Sequence, residues 1–244
     1  MLQPHGCYEG GSIRDVKAKI GWLCARATPR VQTMLKLHDY LPSQNGYKVR
    51  MLLAQLGVSY EHVPVAIFRG ESRSADFLDK NPVGAVPVLE TAAGDYIAES
   101  NAILCFLARG TQYLPEAPLA QAKVMQWLFF EQYYVEPNIG TLRYWTLTNR
   151  LAANEPLIAA KRNGGRRALQ ALERHLAERP FLANEAYSIA DIAVFAYTHL
   201  AEQAGFELAA HPGVRAWIAR VKEQPGGVPD VHPYSVDPDA LAAG

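Results

Sequence analysis

The chain has 244 residues, 49% hydrophobic and 20% charged, with 24 Lys and Arg against 24 Asp and Glu. That length suits one large domain or two small ones with a sizeable core, and the balanced charge argues against a nucleic-acid binder or a membrane anchor held by bulk positive charge. Cys7, Cys24 and Cys105 lie far apart with no Cys-x-x-Cys pair, which leaves no disulfide framework or dithiol and points to a reducing cytosol. The longer apolar runs, such as Ala102 to Ala108, are the size of a core helix, and no run approaches the length of a membrane span.

Residues 1–33 differ in composition from the rest of the chain. They mix His5-Gly6, Gly10-Gly11 and Pro29 with five basic residues against two acidic ones. Ile20 to Ala25 is too short, and sits behind too many mixed charges, for the apolar centre of a signal peptide. The segment reads as a poorly ordered, dispensable extension, with the domain proper opening at Met34.

From Met34, Leu35 and Leu37 alternate with Lys36 and His38, as in a strand with one buried face. Beyond the turn Leu41-Pro42-Ser43, Val49, Leu52, Leu53 and Leu56 recur at three- and four-residue spacing until Gly57, which predicts a helix over 45–56. Tyr60 to Val65 reads as a strand and Ala75 to Asp79 as a short helix. Val86 to Leu89 and Tyr96-Ile97 read as strands joined by the turn Ala93-Gly94-Asp95, and a helix over 99–109 carries Ile103, Leu104 and Leu107. The order β-α-β-α-β-β-α over 34–110 is a thioredoxin-like α/β plan.

Residues 111–117 form a linker, and beyond them no strand pattern survives. Helical spacing links Ala122, Met125, Phe129 and Tyr133; then Leu169, Leu172 and Leu176; then Val214, Trp217, Ile218 and Val221, between Pro212 and Pro225-Gly226-Gly227. Residues 118–227 are expected to be an all-α helical domain, and 228–244 a loose tail.

Three segments could carry chemistry. Pro42-Ser43-Gln44-Asn45-Gly46-Tyr47-Lys48 places a hydroxyl and an amide at a helix N-terminus, where free N–H groups and the positive dipole end can hold an anion such as a thiolate. Ser and Asn are equally the usual N-caps. In Asn81-Pro82-Val83-Gly84-Ala85-Val86-Pro87 a proline opens a strand. It is either an edge-strand proline or a cis Val86-Pro87 step that leaves the Val86 backbone free for a peptide-like ligand. Glu99-Ser100-Asn101 opens the next helix and, beyond capping it, could hold an α-amino acid by its amine and carboxylate.

Taken together and in this order, the three segments resemble the glutathione transferase superfamily over most of Met34 to Gly227. The resemblance implies a thioredoxin-like glutathione-binding domain followed by an all-α domain. Ser43 corresponds to the serine or threonine that steadies the glutathione thiolate, Val86-Pro87 to the cis-proline step, and Glu99-Ser100 to the acidic-Ser pair that binds the γ-glutamyl group. Ser43 to Lys48 is most similar to the Thr/Ser-x-Asn-Gly-x-Lys segment of bacterial transferases of the nu type, some of which reduce disulfides, and this implies Asn45 as a second thiolate donor. A basic residue that theta-like relatives carry before the valine has no counterpart, since Gly84 and Ala85 stand there; Arg69, Arg73 and Lys80 are the candidates for the glycyl carboxylate.

The resemblance therefore implies a cytoplasmic, glutathione-dependent enzyme acting on small electrophiles, a disulfide reductase, or a non-catalytic binding module on the same scaffold, in each case a homodimer. Partners are small molecules, with neither nucleic acid nor membrane. Ser188 and Asp191 read as a capping box with a Tyr187 and Ile192 staple, a structural device. Phe129, Phe130, Tyr133, Tyr134, Tyr144 and Trp145 read first as core and second as the wall of an apolar substrate pocket. Lys161, Arg162, Arg166 and Arg167 read as a solvated helix face. The histidines show no metal-ligand spacing, the one His-x-Cys being His5 and Cys7, and no metal is assigned.

Overall fold

Strand β1 (Leu35–Asp39) buries Leu37 as the alternation predicts, but His38 and Asp39 are buried too, His38 bonded at 3.0 Å to Glu90 and Asp39 paired with Arg50. The computed structural model describes residues 34–242; the extension 1–33, with Cys7, Cys24 and its expected disorder, lies outside the described residues, as do 243–244. Met34–Gly244 forms one unit.

Helix α1 (Gln44–Leu56) ends at Gly57, whose φ of 63° sends its N–H back to Leu53 and Ala54. Strand β2 (Tyr60–Pro64) lies parallel to β1, and after helix α2 (Ala75–Lys80) strands β3 (Val88–Glu90) and β4 (Tyr96–Ile97) follow antiparallel, giving the order β2-β1-β3-β4. Leu37 sits opposite His62 on one side and Leu89 on the other. Helix α3 (Ser100–Ala108) buries Ile103, Leu104 and Leu107, in one cluster with Leu37, Leu89 and, from α1, Val49, Leu52 and Leu53. Gly46 is required where it stands, because a Cβ there would strike the Asp39 carboxylate.

Helix α4 (Pro118–Phe130) runs into a π-helical stretch, Glu131–Gly140, and on into α5 (Thr141–Leu147). The inward stripe is Val124, Leu128, Glu131, Val135, Ile139 and Leu142. Of the stripe expected from Ala122, Met125, Phe129 and Tyr133, Met125 packs in part against the core, but Phe129 is 65% and Tyr133 75% exposed, and Tyr134 is exposed as well. These three aromatics are not core. Spacing alone could not choose between two apolar faces of one helix, and Trp127, Leu128 and Val135 occupy the inner one. Trp145 is buried as expected.

Helices α6 (Glu155–Leu176), α7 (Ile189–Thr198) and α8 (Pro212–Lys222) complete the helical part. Every residue of α7 is buried, and its Ile192 and Phe195 belong to the same apolar cluster as Leu37. The two halves therefore share one core. The C-terminal segment, expected to be loose, is docked: a 3-10 turn (Tyr234–Val236) and helix α9 (Pro238–Ala242) bring Tyr234 against Tyr40, and Ala240 is buried with its carbonyl accepting from Arg150 at 3.0 Å. None of the described helices is long and apolar enough to cross a membrane.

Asp191 anchors α7. Fully buried, it accepts from the backbone N–H groups of Leu182 and Ser188 at 3.0 Å, from Trp217 Nε1 at 2.9 Å and from the Ser188 hydroxyl at 3.3 Å. Burial pushes its carboxyl up to about 6, the donors opposing this. Replacing it by Ala orphans several buried donors at about 1–3 kcal/mol each, so Asp191→Ala should cost at least about 3 kcal/mol in urea unfolding. A loss below about 1 kcal/mol would show that the anchor is dispensable.

Candidate functional site

The loop between α2 and β3, the start of α1 and the start of α3 converge on one cleft. Asn45, Asn81, Ala85, Val86, Pro87, Glu99, Ser100 and Gln132 line it, around a cavity of about 60 Å³. Five of the six residues singled out from sequence meet there. Ser43 does not line the cavity: it caps α1, its Oγ accepting from the Gly46 N–H at 3.4 Å, so the capping role is present. Its hydroxyl proton is left for another acceptor.

The loop is held open by its own bonds. Asn81, almost fully buried, donates to the Ala85 carbonyl at 2.7 Å and accepts from the Val83 N–H at 3.1 Å. Gly84 turns at φ 66°, where a Cβ would press on the Ser72 carbonyl. The Val86–Pro87 peptide bond is cis. Among the described residues, no backbone hydrogen bond engages the N–H or C=O of Val86.

Glu99 departs from its expected role as a cap. It occupies the N-cap position of α3, yet its side chain makes no capping bond and is exposed. Its backbone sits at φ 65°, ψ 111°, a region non-glycine residues rarely adopt. Ser100 is 4% exposed, donating to Asn45 Oδ1 at 3.4 Å.

Sequence reasoning missed the charges behind the cleft. Lys48, fully buried, places its Nζ 2.8 Å from Glu131 Oε2, 2.9 Å from Asn45 Oδ1 and 3.3 Å from Ser100 Oγ. Glu131 Oε2 also accepts from Asn101 at 3.0 Å and Gln132 at 2.9 Å. Nearby, burial pushes the Glu136 carboxyl above its ordinary value, Glu131 adding to the effect and Lys48 opposing it. The signal was present in the sequence: Lys48 lies three residues after Asn45 and four before Leu52, and Glu131 lies between Leu128 and Val135, each a charge on an apolar stripe.

The three candidates for the glycyl carboxylate are committed elsewhere. Arg69 pairs with Asp239 at 2.5 Å, Arg73 donates to the Val83 carbonyl at 2.7 Å, and Lys80 bonds Asp76. None lines the cleft. Cys105, the free cysteine among the described residues, is half-buried with its sulfur 3.9 Å from that of Met125, and burial pushes its thiol up. No three His, Cys, Asp or Glu side chains gather as a metal site among the described residues. A wider groove of about 690 Å³ between α6 and residues 205–211, lined by Arg162, Arg166, Arg174 and Phe206, contains none of the residues singled out as catalytic or binding.

A family model described as Glutathione S-transferase, N-terminal domain matches residues 33–109, and one described as Glutathione S-transferase, C-terminal domain matches 155–220. Glutathione S-transferase 3 of Zea mays is 30% identical over 202 residues, covering 78% of this chain and 90% of that protein. Disulfide-bond oxidoreductase YfcG of Escherichia coli (strain K12) is 27% identical over 195 residues, 76% and 89% of the two chains. The crystal structure of a possible glutathione S-transferase from Rhodopseudomonas palustris is 44% identical, with a TM-score of 0.79 over 82% of this chain and 98% of that one.

A strained backbone at an exposed, unbonded residue leads to a test that needs no ligand. Glycine tolerates φ near 65°, and the relief of about 1–3 kcal/mol exceeds the extra chain entropy it brings. Glu99→Gly should therefore leave stability unchanged or raise it by about 1 kcal/mol in thermal unfolding. A loss of more than about 1 kcal/mol would mean that the side chain supports the fold.

Proposed function

The chain belongs to the glutathione S-transferase family, and on that premise we propose that it binds glutathione in the cleft of Asn45, Val86, Pro87, Glu99 and Ser100 and activates its thiol for attack on electrophilic small molecules. The observation that carries this reading is Glu99, which lines the cleft on strained backbone with a carboxylate that caps nothing. It pairs with the γ-glutamyl amine, while Ser100 and the free N–H groups at the start of α3 take the α-carboxylate. The unengaged N–H and C=O of Val86 pair with the cysteinyl backbone, as in strand addition. Asn45, with Ser43 and the N-terminus of α1, stabilises the thiolate, each pKa unit of lowering corresponding to about 1.4 kcal/mol of preference for the charged form. The thiolate then attacks an electrophilic carbon. In this reading the chain removes reactive electrophiles in the cytoplasm.

Similarity to a disulfide-bond oxidoreductase favours a second chemistry on the same site. There the bound thiolate attacks one disulfide sulfur, expelling the other as a thiolate. A second glutathione then attacks the glutathione sulfur of the mixed disulfide, freeing the remaining substrate thiol and leaving oxidised glutathione. Cys105 does not line the cleft, so both steps use glutathione sulfur alone.

Calorimetry with glutathione tests the binding site: Glu99→Ala and Ser100→Ala should each weaken affinity about tenfold or more. Titration of thiolate absorbance against pH tests activation: Asn45→Ala should raise the bound thiol's pKa by about one unit and Ser43→Ala by less, affinity being largely kept. Unchanged affinity in both cleft variants would place glutathione elsewhere. Binding without turnover of electrophiles or disulfides would make the chain a non-catalytic binding module.

The exposed Phe129 and Tyr133, together with exposed Phe106 on α3, support a homodimer closed over α3 and α4. In sedimentation, the chain should run as a dimer and Phe129→Glu/Tyr133→Glu as a folded monomer. A wild-type monomer would reject this assembly.

A further inference from the structure

Which end of the Asn45 amide faces the cleft decides whether it can serve a thiolate at all. The nitrogen donates hydrogen bonds and stabilises a negative sulfur, whereas the oxygen repels it. In Asn the two atoms are nearly indistinguishable by shape, so the choice is made by the partner. Here the partner is Lys48, whose ammonium can only donate, 2.9 Å from Oδ1, and the Ser100 hydroxyl donates to the same oxygen at 3.4 Å. A reversed amide would set N–H donors against an ammonium.

From this geometry we infer that Lys48 is a positioning residue that aims the Asn45 amide donor at the sulfur. This rests on the glutathione reading above and assigns to that site a residue that touches no substrate. The ammonium has three hydrogens and three acceptors, Asn45 Oδ1, Ser100 Oγ and Glu131 Oε2, so it has no freedom to turn. Glu131 is itself fixed by Asn101 and Gln132 through the same oxygen. Lys48 and Glu131 have no solvent exposure, so water cannot substitute for either. The pair carries no net charge, which weakens its field at a distance, and the bond from Lys48 to Asn45 Oδ1 is its direct link to the amide. The chain of contacts runs from the helical part, at Glu131, to α1, at Lys48, to the reacting atom.

Removing Lys48 alone would strand a buried carboxylate, so the test removes both charges: Lys48→Met/Glu131→Gln in the full chain, with glutathione as the probe. The expected result is a folded protein whose glutathione affinity stays within about threefold of wild type, while the bound thiol's pKa and the pH profile of kcat/KM move about one unit to the alkaline side. An unshifted profile in a variant that binds glutathione overturns the inference alone. Failure of the unsubstituted protein to bind glutathione overturns both the reading and the inference. A second measurement keeps the test decisive if that variant does not fold. In the unsubstituted protein the Asn45 side-chain NH2 resonances should move as the bound thiol ionises, because the nitrogen faces the sulfur while Lys48 holds the oxygen. Resonances that do not follow the thiol titration would show that the amide is not aimed at the sulfur and would overturn the inference.

Discussion

A lysine and a glutamate, neither reached by solvent, face each other at 2.8 Å between α1 and the π-helical stretch that follows α4. Burying such charges costs several kcal/mol per ion before their attraction is counted, and breaking the pair on one side costs about 3–5 kcal/mol. The pair is hard to justify as a source of stability, since apolar side chains of similar size would fill the space at least as well. What apolar side chains could not do is orient polar neighbours. Lys48 bonds Asn45 and Ser100, and Glu131 collects Asn101 and Gln132, so the pair ties the starts of α1 and α3 to the helical part. The i to i+5 winding after α4 belongs to the same arrangement, because it brings the second carboxylate, Glu136, near the first.

Around this pair the polar groups divide by whether their bonds are already made. Asn81, Arg73 and Asp191 are committed to the backbone of nearby loops and act as a frame. Glu99 and the Val86 backbone are not committed, and both face the cleft. Glu99 also carries backbone strain, which the packing of Ser100 and α3 beneath it must sustain. A frame of satisfied groups holding a few unsatisfied ones in fixed positions is what a preorganised binding site requires, since the ligand then supplies the missing partners without reordering the protein.

The outer surface of α3 and α4 follows a different logic. One apolar stripe of α4 and the π-helical stretch after it enters the core and another, through Phe129 and Tyr133, is left outside. Sixty-five and seventy-five per cent exposure of two large aromatics on one helix face is more than scattered surface apolarity accounts for. The docked C-terminal segment, by contrast, covers aromatic surface within the chain: Tyr234 packs on Tyr40 and Tyr144, and Arg150 reaches the Ala240 carbonyl.

Local periodicity and turn chemistry made most of the elements legible. The stop at Gly57, the hairpin turn before Tyr96 and the capping box at Ser188 each depend on neighbours within a few residues, and each stands where those neighbours put it, whereas the alternation of β1 fails at His38, which is buried with Leu37. The residues of the cleft were legible as a pattern of segments, because Asn45, Val86-Pro87 and Glu99-Ser100 are fixed by short motifs at the ends of elements. Three matters were decided only by tertiary packing. The inner face of α4 depended on which apolar stripe met α7, so Phe129 and Tyr133 could not be placed. Nothing local marks the tail as docked, because Tyr234 and Asp239 find their partners more than eighty residues away, in Tyr40, Tyr144 and Arg69. Lys48 and Glu131 were invisible as a pair because a buried charge is explained only by the opposite charge that meets it, and that meeting is made across 83 residues of chain by the fold.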